Sequence, residues 1–118
     1  MAATTHTGGC HCGQVRYAVT LDLASAISCN CSICAKNGFI WAFAPAAQFR
    51  LDSGEGMVAE YTFNRHVIRH QFCQHCGTEA FARGKAPDGS DVIAVNVRCL
   101  DNVDLAALNP KAFDGKSL

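Results

Sequence analysis

Cysteine is the residue that stands out in this chain: there are eight among 118 residues. Seven fall in three tight groups, Cys10-His11-Cys12, Cys29-Asn30-Cys31-Ser32-Ile33-Cys34 and Cys73-Gln74-His75-Cys76, and Cys99 stands alone. Neighbours this close are poorly placed for unstrained disulfides with each other. They suit zinc, where two thiolates from one turn each take a tetrahedral corner. A glycine follows the first and third groups (Gly13, Gly77), whereas Ala35 follows the middle one. Glycine permits positive φ, so the chain can turn back and aim its amides at the sulfurs. This pairs Cys10, Cys12, Cys73 and Cys76 as a closed four-thiolate site, a structural zinc tying residues about sixty apart. The rival arrangement scrambles the pairing and makes both zincs structural.

The middle group then holds Cys29, Cys31 and Cys34 on one short loop. Three protein ligands and one open position mark a reactive zinc. Three thiolates and Zn²⁺ sum to one negative charge, which weakens the metal as a generator of hydroxide. Such a metal still holds an incoming thiol as thiolate, because zinc binds soft sulfur and deprotonates it. The expected chemistry is a zinc-held small thiol attacking, or leaving, a carbon electrophile. The competing reading is a filled site, with Cys99, His70, His66 or a backbone group as fourth ligand.

Other side chains are candidates with ordinary alternatives. His70, His66 and Tyr61 are each considered as the group that protonates a developing alkoxide. The ordinary roles are a hydrogen-bonded, half-buried histidine for His70, solvent exposure in a hairpin turn for His66, and packing for Tyr61. Arg65 can grip a carboxylate in a bidentate pair, or be solvated. Phe39, Trp41 and Phe43 alternate after the zinc loop, as a pocket wall or as the core beneath it. Lys36 and Arg16 can offset the zinc sites' negative charge or lie on the surface. Cys99, in an apolar strand, reads as a buried small hydrophobe before a reactive thiol. His11 and His75 read as spacers between ligands.

The elements that must position these groups read mostly as strands. Val15, Tyr17 and Val19 alternate with Gln14, Arg16 and Ala18. Further strands are expected over Phe39 to Phe43, Met57 to Phe63, Val67 to Phe72, Thr78 to Arg83 and Asp91 to Leu100, with a turn at Ala86 to Ser90. Short helices are expected over Ser32 to Lys36 and Asp104 to Leu108. Thr4 to Thr7 and Lys116 to Leu118 read as loose termini. The fold class is all-β, a small zinc-tied set of antiparallel sheets in one domain over residues 1–118. A chain of this length buries roughly 65% of its unfolded surface.

Ten basic and ten acidic side chains leave no net charge, which argues against nucleic acid held by phosphate contacts and against a polybasic membrane anchor. Hydrophobic content of 49% argues against disorder. The N-terminal stretch has no basic region followed by an apolar one, and the longest nearly apolar run, Phe39 to Ala47, is too short to span a bilayer. The expectation is a cytoplasmic protein with reduced thiols.

Four motifs in order carry a resemblance: Gly-Gly-Cys-His-Cys-Gly-Gln-Val-Arg-Tyr (8–17), Cys-Asn-Cys-Ser-Ile-Cys (29–34), Phe-Cys-Gln-His-Cys-Gly-Thr (72–78) and Val-Asn-Val-Arg-Cys-Leu-Asp (95–101). From about Gly8 to Asp104 the chain resembles the glutathione-dependent formaldehyde-activating enzyme family, which shares its domain with centromere protein V. The resemblance implies an Mss4-like β-fold with two zincs, a structural one on Cys10, Cys12, Cys73 and Cys76 and a catalytic, more labile one on Cys29, Cys31 and Cys34. The implied activity is that of a carbon–sulfur lyase, forming or cleaving S-hydroxymethylglutathione from glutathione and formaldehyde. Fold likeness alone does not determine function. Three rivals differ in class: a non-catalytic scaffold domain, a methionine-sulfoxide-reductase-like enzyme using Cys99, and a zinc ribbon for nucleic acid.

Overall fold

A computed structural model describes residues 3–117. Among these residues the chain forms ten strands in two sheets and one α-helix. The strands are β1 (Thr4–Gly9), β2 (Arg16–Leu21), β3 (Ile27–Cys29), β4 (Trp41–Pro45), β5 (Phe49–Ser53), β6 (Val58–Tyr61), β7 (Arg69–Cys73), β8 (Phe81–Lys85), β9 (Asp91–Asn96) and β10 (Lys111–Phe113). The helix α1 (Ser32–Asn37) lies between β3 and β4 and stops at Gly38, whose φ of 69° ends it in the left-handed conformation. A three-stranded sheet runs β1-β2-β5, and a seven-stranded sheet runs β10-β3-β4-β9-β8-β7-β6.

The large sheet is two-faced because its side chains alternate. Gln71, Phe81, Val95 and Ala42 are register partners along one row and point to one face. That face packs on the small sheet, where Tyr17 is fully buried with Val15, Val19 and Leu21. The Tyr17 and Phe81 rings meet edge to face at 5.9 Å, and the Tyr17 hydroxyl donates to the Ala80 carbonyl at 3.2 Å. Each such side chain taken fully out of water stabilises the fold by about 1.5–3 kcal/mol. The neighbouring row, Tyr61, His70, Ala82, Ala94 and Phe43, points to the opposite face. There α1 and the middle cysteine group lie, in a second cluster with Phe39 and Trp41.

The mostly-β expectation holds, with corrections. Not every pair is antiparallel: β10 runs parallel to β3, Lys111 opposite Ile27. Thr4 to Thr7 are not loose but belong to β1, which pairs along all of β2. This strand has no apolar face to betray it; its backbone ladder holds it, and at Gly8 a Cβ would meet the Cys99 carbonyl oxygen at 2.6 Å. Lys116 is held too, its N–H donating to Asn30 Oδ1 at 2.8 Å, while Leu118 lies outside the described residues. The strand expected from Asp91 to Leu100 ends at Asn96 and passes into a 3-10 turn, Val97–Cys99, capped by the Asn96 side chain. Asp104 to Leu108 is likewise one 3-10 turn, Leu105–Ala107, capped by Asp104. Strand Phe39 to Phe43 begins later, at Trp41, because Phe39 and Ile40 are still leaving α1.

Candidate functional site

The first and third cysteine groups meet where the two sheets join. Cys10 and Cys12 lie on the β1–β2 turn, Cys73 ends β7 and Cys76 lies on the β7–β8 turn. Gly13 and Gly77 take φ of 84° and 77°, the positive values their turns require. The four sulfurs lie within 4.8 Å of one another, with Cys10 to Cys12 at 3.5 Å and Cys12 to Cys73 at 3.7 Å. Corners of a tetrahedron 2.3 Å from its centre are roughly 3.8 Å apart, the edge of a zinc–thiolate site. The surroundings favour the thiolate at Cys10 and Cys76, while at Cys12, against a hydrogen bond from the Gln14 backbone, burial and the neighbouring sulfurs push the thiol up to about 12. The Val15 N–H donates to Cys10 Sγ at 3.3 Å, and the Thr78 hydroxyl beside Cys76 pulls that thiol down to about 5. This group can hold a metal ion.

Cys29, Cys31 and Cys34 form a second such group on the opposite face of the large sheet. Cys29 ends β3, Cys31 caps α1 and Cys34 lies inside it. The Cys31 N–H donates to Cys29 Sγ at 3.4 Å, and the Trp41 indole N–H donates to Cys34 Sγ at 3.2 Å. Burial pushes the Cys34 thiol up to about 12. Burial also opposes ionisation of Cys31, but hydrogen bonds from the Cys34 and Ile33 backbone and the neighbouring thiols win and hold it below the ordinary value. Among the described residues no fourth His, Cys, Asp or Glu ligand atom joins these three sulfurs. Cys99, His66 and His70, considered above as a fourth ligand, are therefore not part of the group.

The C-terminal segment closes over this loop, a contact that sequence reasoning missed. Asn30 N–H donates to the Phe113 carbonyl at 3.2 Å, and Asn30 Nδ2 donates to Asp114 at 2.9 Å. Gly115 sits so close that a Cβ there would lie 2.5 Å from Cys29 Sγ.

Beside the three cysteines lies a pocket of about 160 Å³. Its floor is explained by the row described above: two alanines, Ala82 and Ala94, sit between His70 and Phe43 and leave a hollow. Trp41, Phe63, Ile68 and Phe113 complete its walls. His70 is the one polar side chain in it besides the indole N–H already bonded to Cys34. Nδ1 of His70 donates to Glu79 Oε2 at 2.6 Å, with both side chains buried. Nε2 makes no hydrogen bond among the described residues, and the ring lines the pocket. The ring stacks near Phe63 at 5.7 Å. Glu79 was not a candidate from sequence; it follows a zinc-turn motif, and only the β7–β8 register brings it to His70.

The other candidates divide. Phe39 and Trp41 are buried against Cys34, while Trp41 and Phe43 also wall the pocket, so both readings of that stretch apply. Lys36 and Arg65 line two depressions that share Phe63 with the pocket, and among the described residues neither makes an ion pair. Arg16 instead pairs with Asp101, far from the three-cysteine loop. Tyr61 is half exposed, and His66 is exposed and bonded to Thr62. His11 is exposed, and His75 bonds Gln14 at 3.3 Å. Burial pushes the Cys99 thiol up to about 11, away from the thiolate form in which a cysteine acts as a nucleophile.

A model of the glutathione-dependent formaldehyde-activating enzyme family matches residues 5–114. The chain belongs to this family. A crystal structure of a Rhodobacter sphaeroides protein is also similar: 30% identical, with a TM-score of 0.80, covering 90% of this chain and 97% of that one. The family match runs from within β1 to just past β10, so it includes both cysteine groups and the pocket and ends one residue before Gly115. Among the described residues no helix is long and apolar enough to cross a membrane.

Proposed function

We propose that this chain is a zinc enzyme of the carbon–sulfur lyase type, joining a small thiol, glutathione, reversibly to formaldehyde or a related aldehyde. Cys10, Cys12, Cys73 and Cys76 hold a structural zinc, and Cys29, Cys31 and Cys34 hold a second, catalytic one. The observation that carries this reading is the three-sulfur group, which among the described residues has no fourth side-chain ligand, beside a pocket lined by His70. A zinc ion on those three sulfurs would hold a thiol as thiolate.

The chain's own residues supply the rest. Arg65 and Lys36, which make no ion pair among the described residues and line depressions that share Phe63 with the pocket, bind the two carboxylates of glutathione. In the addition, the sulfur–carbon bond forms, the carbonyl π pair moves to oxygen, and that oxygen takes a proton from His70 Nε2. Glu79 holds Nδ1 and so fixes the ring's orientation. The proton lost by the incoming thiol restores the histidine, so atoms and charge balance over the cycle. Phe63, Ile68 and Phe113, the last two partly exposed, present an apolar wall beside the reacting carbon.

The test is zinc per chain after purification under reducing conditions, with zinc X-ray absorption before and after adding glutathione. The expected result is two zincs, one gaining a sulfur neighbour only with glutathione. One zinc, or two already saturated by protein ligands and blind to glutathione, overturns the reading in favour of a scaffold domain.

A further inference from the structure

The pocket beside Cys29, Cys31 and Cys34 is too large and too apolar for formaldehyde. Its volume of about 160 Å³ matches the roughly 150 Å³ apolar cavity that takes up benzene. Formaldehyde has one carbon and would leave most of it empty. Glutathione itself is a poor occupant, because its two peptide groups would enter a hollow floored by Ala82 and Ala94 and walled by Trp41 and Phe63. There they would find only His70 Nε2 as a partner, and unpaired buried amides are costly. Its carboxylates also have cations outside, at Lys36 and Arg65.

We propose that the hollow receives the carbon substituent of the aldehyde, and that the enzyme prefers aldehydes with a branched or aromatic apolar group of about six carbons. This rests on the thiol-addition reading above and deepens it. The thiol sulfur bonds the aldehyde carbon, the oxygen points to His70 Nε2, and the substituent lies over Ala82 and Ala94 between Phe43 and Phe63. The product is a thiohemiacetal, formed with no oxidant or reductant.

Trp41, the chain's single tryptophan, lines the hollow, so its fluorescence reports occupancy. The zinc-loaded protein is titrated with benzyl alcohol, and then with S-benzylglutathione and S-methylglutathione. Benzyl alcohol is expected to change Trp41 emission saturably, and S-benzylglutathione to bind at least about 100-fold tighter than S-methylglutathione. Ala94→Leu, which fills the hollow from a partly exposed position, should cut that ratio below about 5-fold while both zincs stay bound. In turnover with glutathione, kcat/KM for cyclohexanecarbaldehyde should exceed that for acetaldehyde by about tenfold or more, and Ala94→Leu should erase the difference. No saturable benzyl alcohol effect, or equal binding of the two glutathione thioethers, overturns the proposal. So does an Ala94→Leu variant that keeps the full ratio. If benzyl alcohol binds but glutathione never adds a sulfur neighbour to the second zinc, the thiol reading fails instead, and the assignment of the hollow to an aldehyde falls with it.

Discussion

Gly115 offers a way to disturb the second metal group without touching a ligand. A Cβ at this position would lie 2.5 Å from Cys29 Sγ. Ordinary non-bonded separation is about 3.5–4 Å, so in Gly115→Ala the sulfur must withdraw by about 1 Å. Zinc–thiolate distances near 2.3 Å tolerate only about 0.2 Å. The displacement is several times that tolerance, and it falls on one of three ligands. The cost to the fold is small, because the atom in the way is the end of a rotatable side chain, and Gly115 has no positive φ that alanine would resist. Gly115→Ala is therefore expected to weaken the second metal about 10- to 100-fold while changing fold stability by less than about 1 kcal/mol. Cobalt(II) titration resolves this: two equivalents develop thiolate charge-transfer absorption in the parent protein, and the second should titrate late in the variant. A thermal melt of the zinc-loaded protein gives the stability. If the second equivalent binds unchanged, Cys29 is not a ligand or the C-terminal segment does not close over it.

Cys73→Ser should lower the thermal midpoint sharply, since it breaks a four-thiolate group at the junction of the sheets, whereas Cys31→Ser should fold normally and lose one zinc; equal loss of fold in both would make the middle site structural. Cys99, pushed up to about 11 by burial, should stay a thiol at pH 7 in the zinc-loaded protein, its alkylation rising about tenfold per pH unit as pH climbs towards that value. Fast alkylation at pH 7 would restore it as a nucleophile. Tyr17→Phe should cost about 1–3 kcal/mol in chemical denaturation, because the buried Ala80 carbonyl loses the hydroxyl that bonds it at 3.2 Å. A smaller change would mean that water replaces the hydroxyl there.

How much of this was legible in the sequence depends on the range of each interaction. The cysteine groups announce themselves because their ligands sit within one turn, and Gly13 and Gly77 mark the turns that need positive φ. The face carrying His70 follows from simple alternation. Its partner does not: Glu79 reaches it across the β7–β8 turn, and spacing along the chain says nothing of that pairing. The hollow was equally hidden. Ala82 and Ala94 look like any small core residues until the register sets them side by side in a row ending at Phe43. Strands β1, β3, β5 and β10 escaped notice for a different reason: β3 and β10 are three residues long, β1 and β10 lack an apolar stripe, and β5 offers only Phe49 and Leu51 before Asp52 and Ser53.

The parallel pairing of β10 with β3 also sets an order of assembly. The four-thiolate group is complete in the chain once Cys76 has been made, so it can take metal while the rest is still being synthesised. The three-cysteine loop is complete once Cys34 has been made, yet its cover, Phe113 to Gly115, follows only about eighty residues later. Until then Cys29 lies open, and the loop is most exposed to wrong metals and to oxidation. The four-cysteine group is therefore complete before the three-cysteine loop is covered, and a chain truncated before Lys111 would keep the first group and leave Cys29 open.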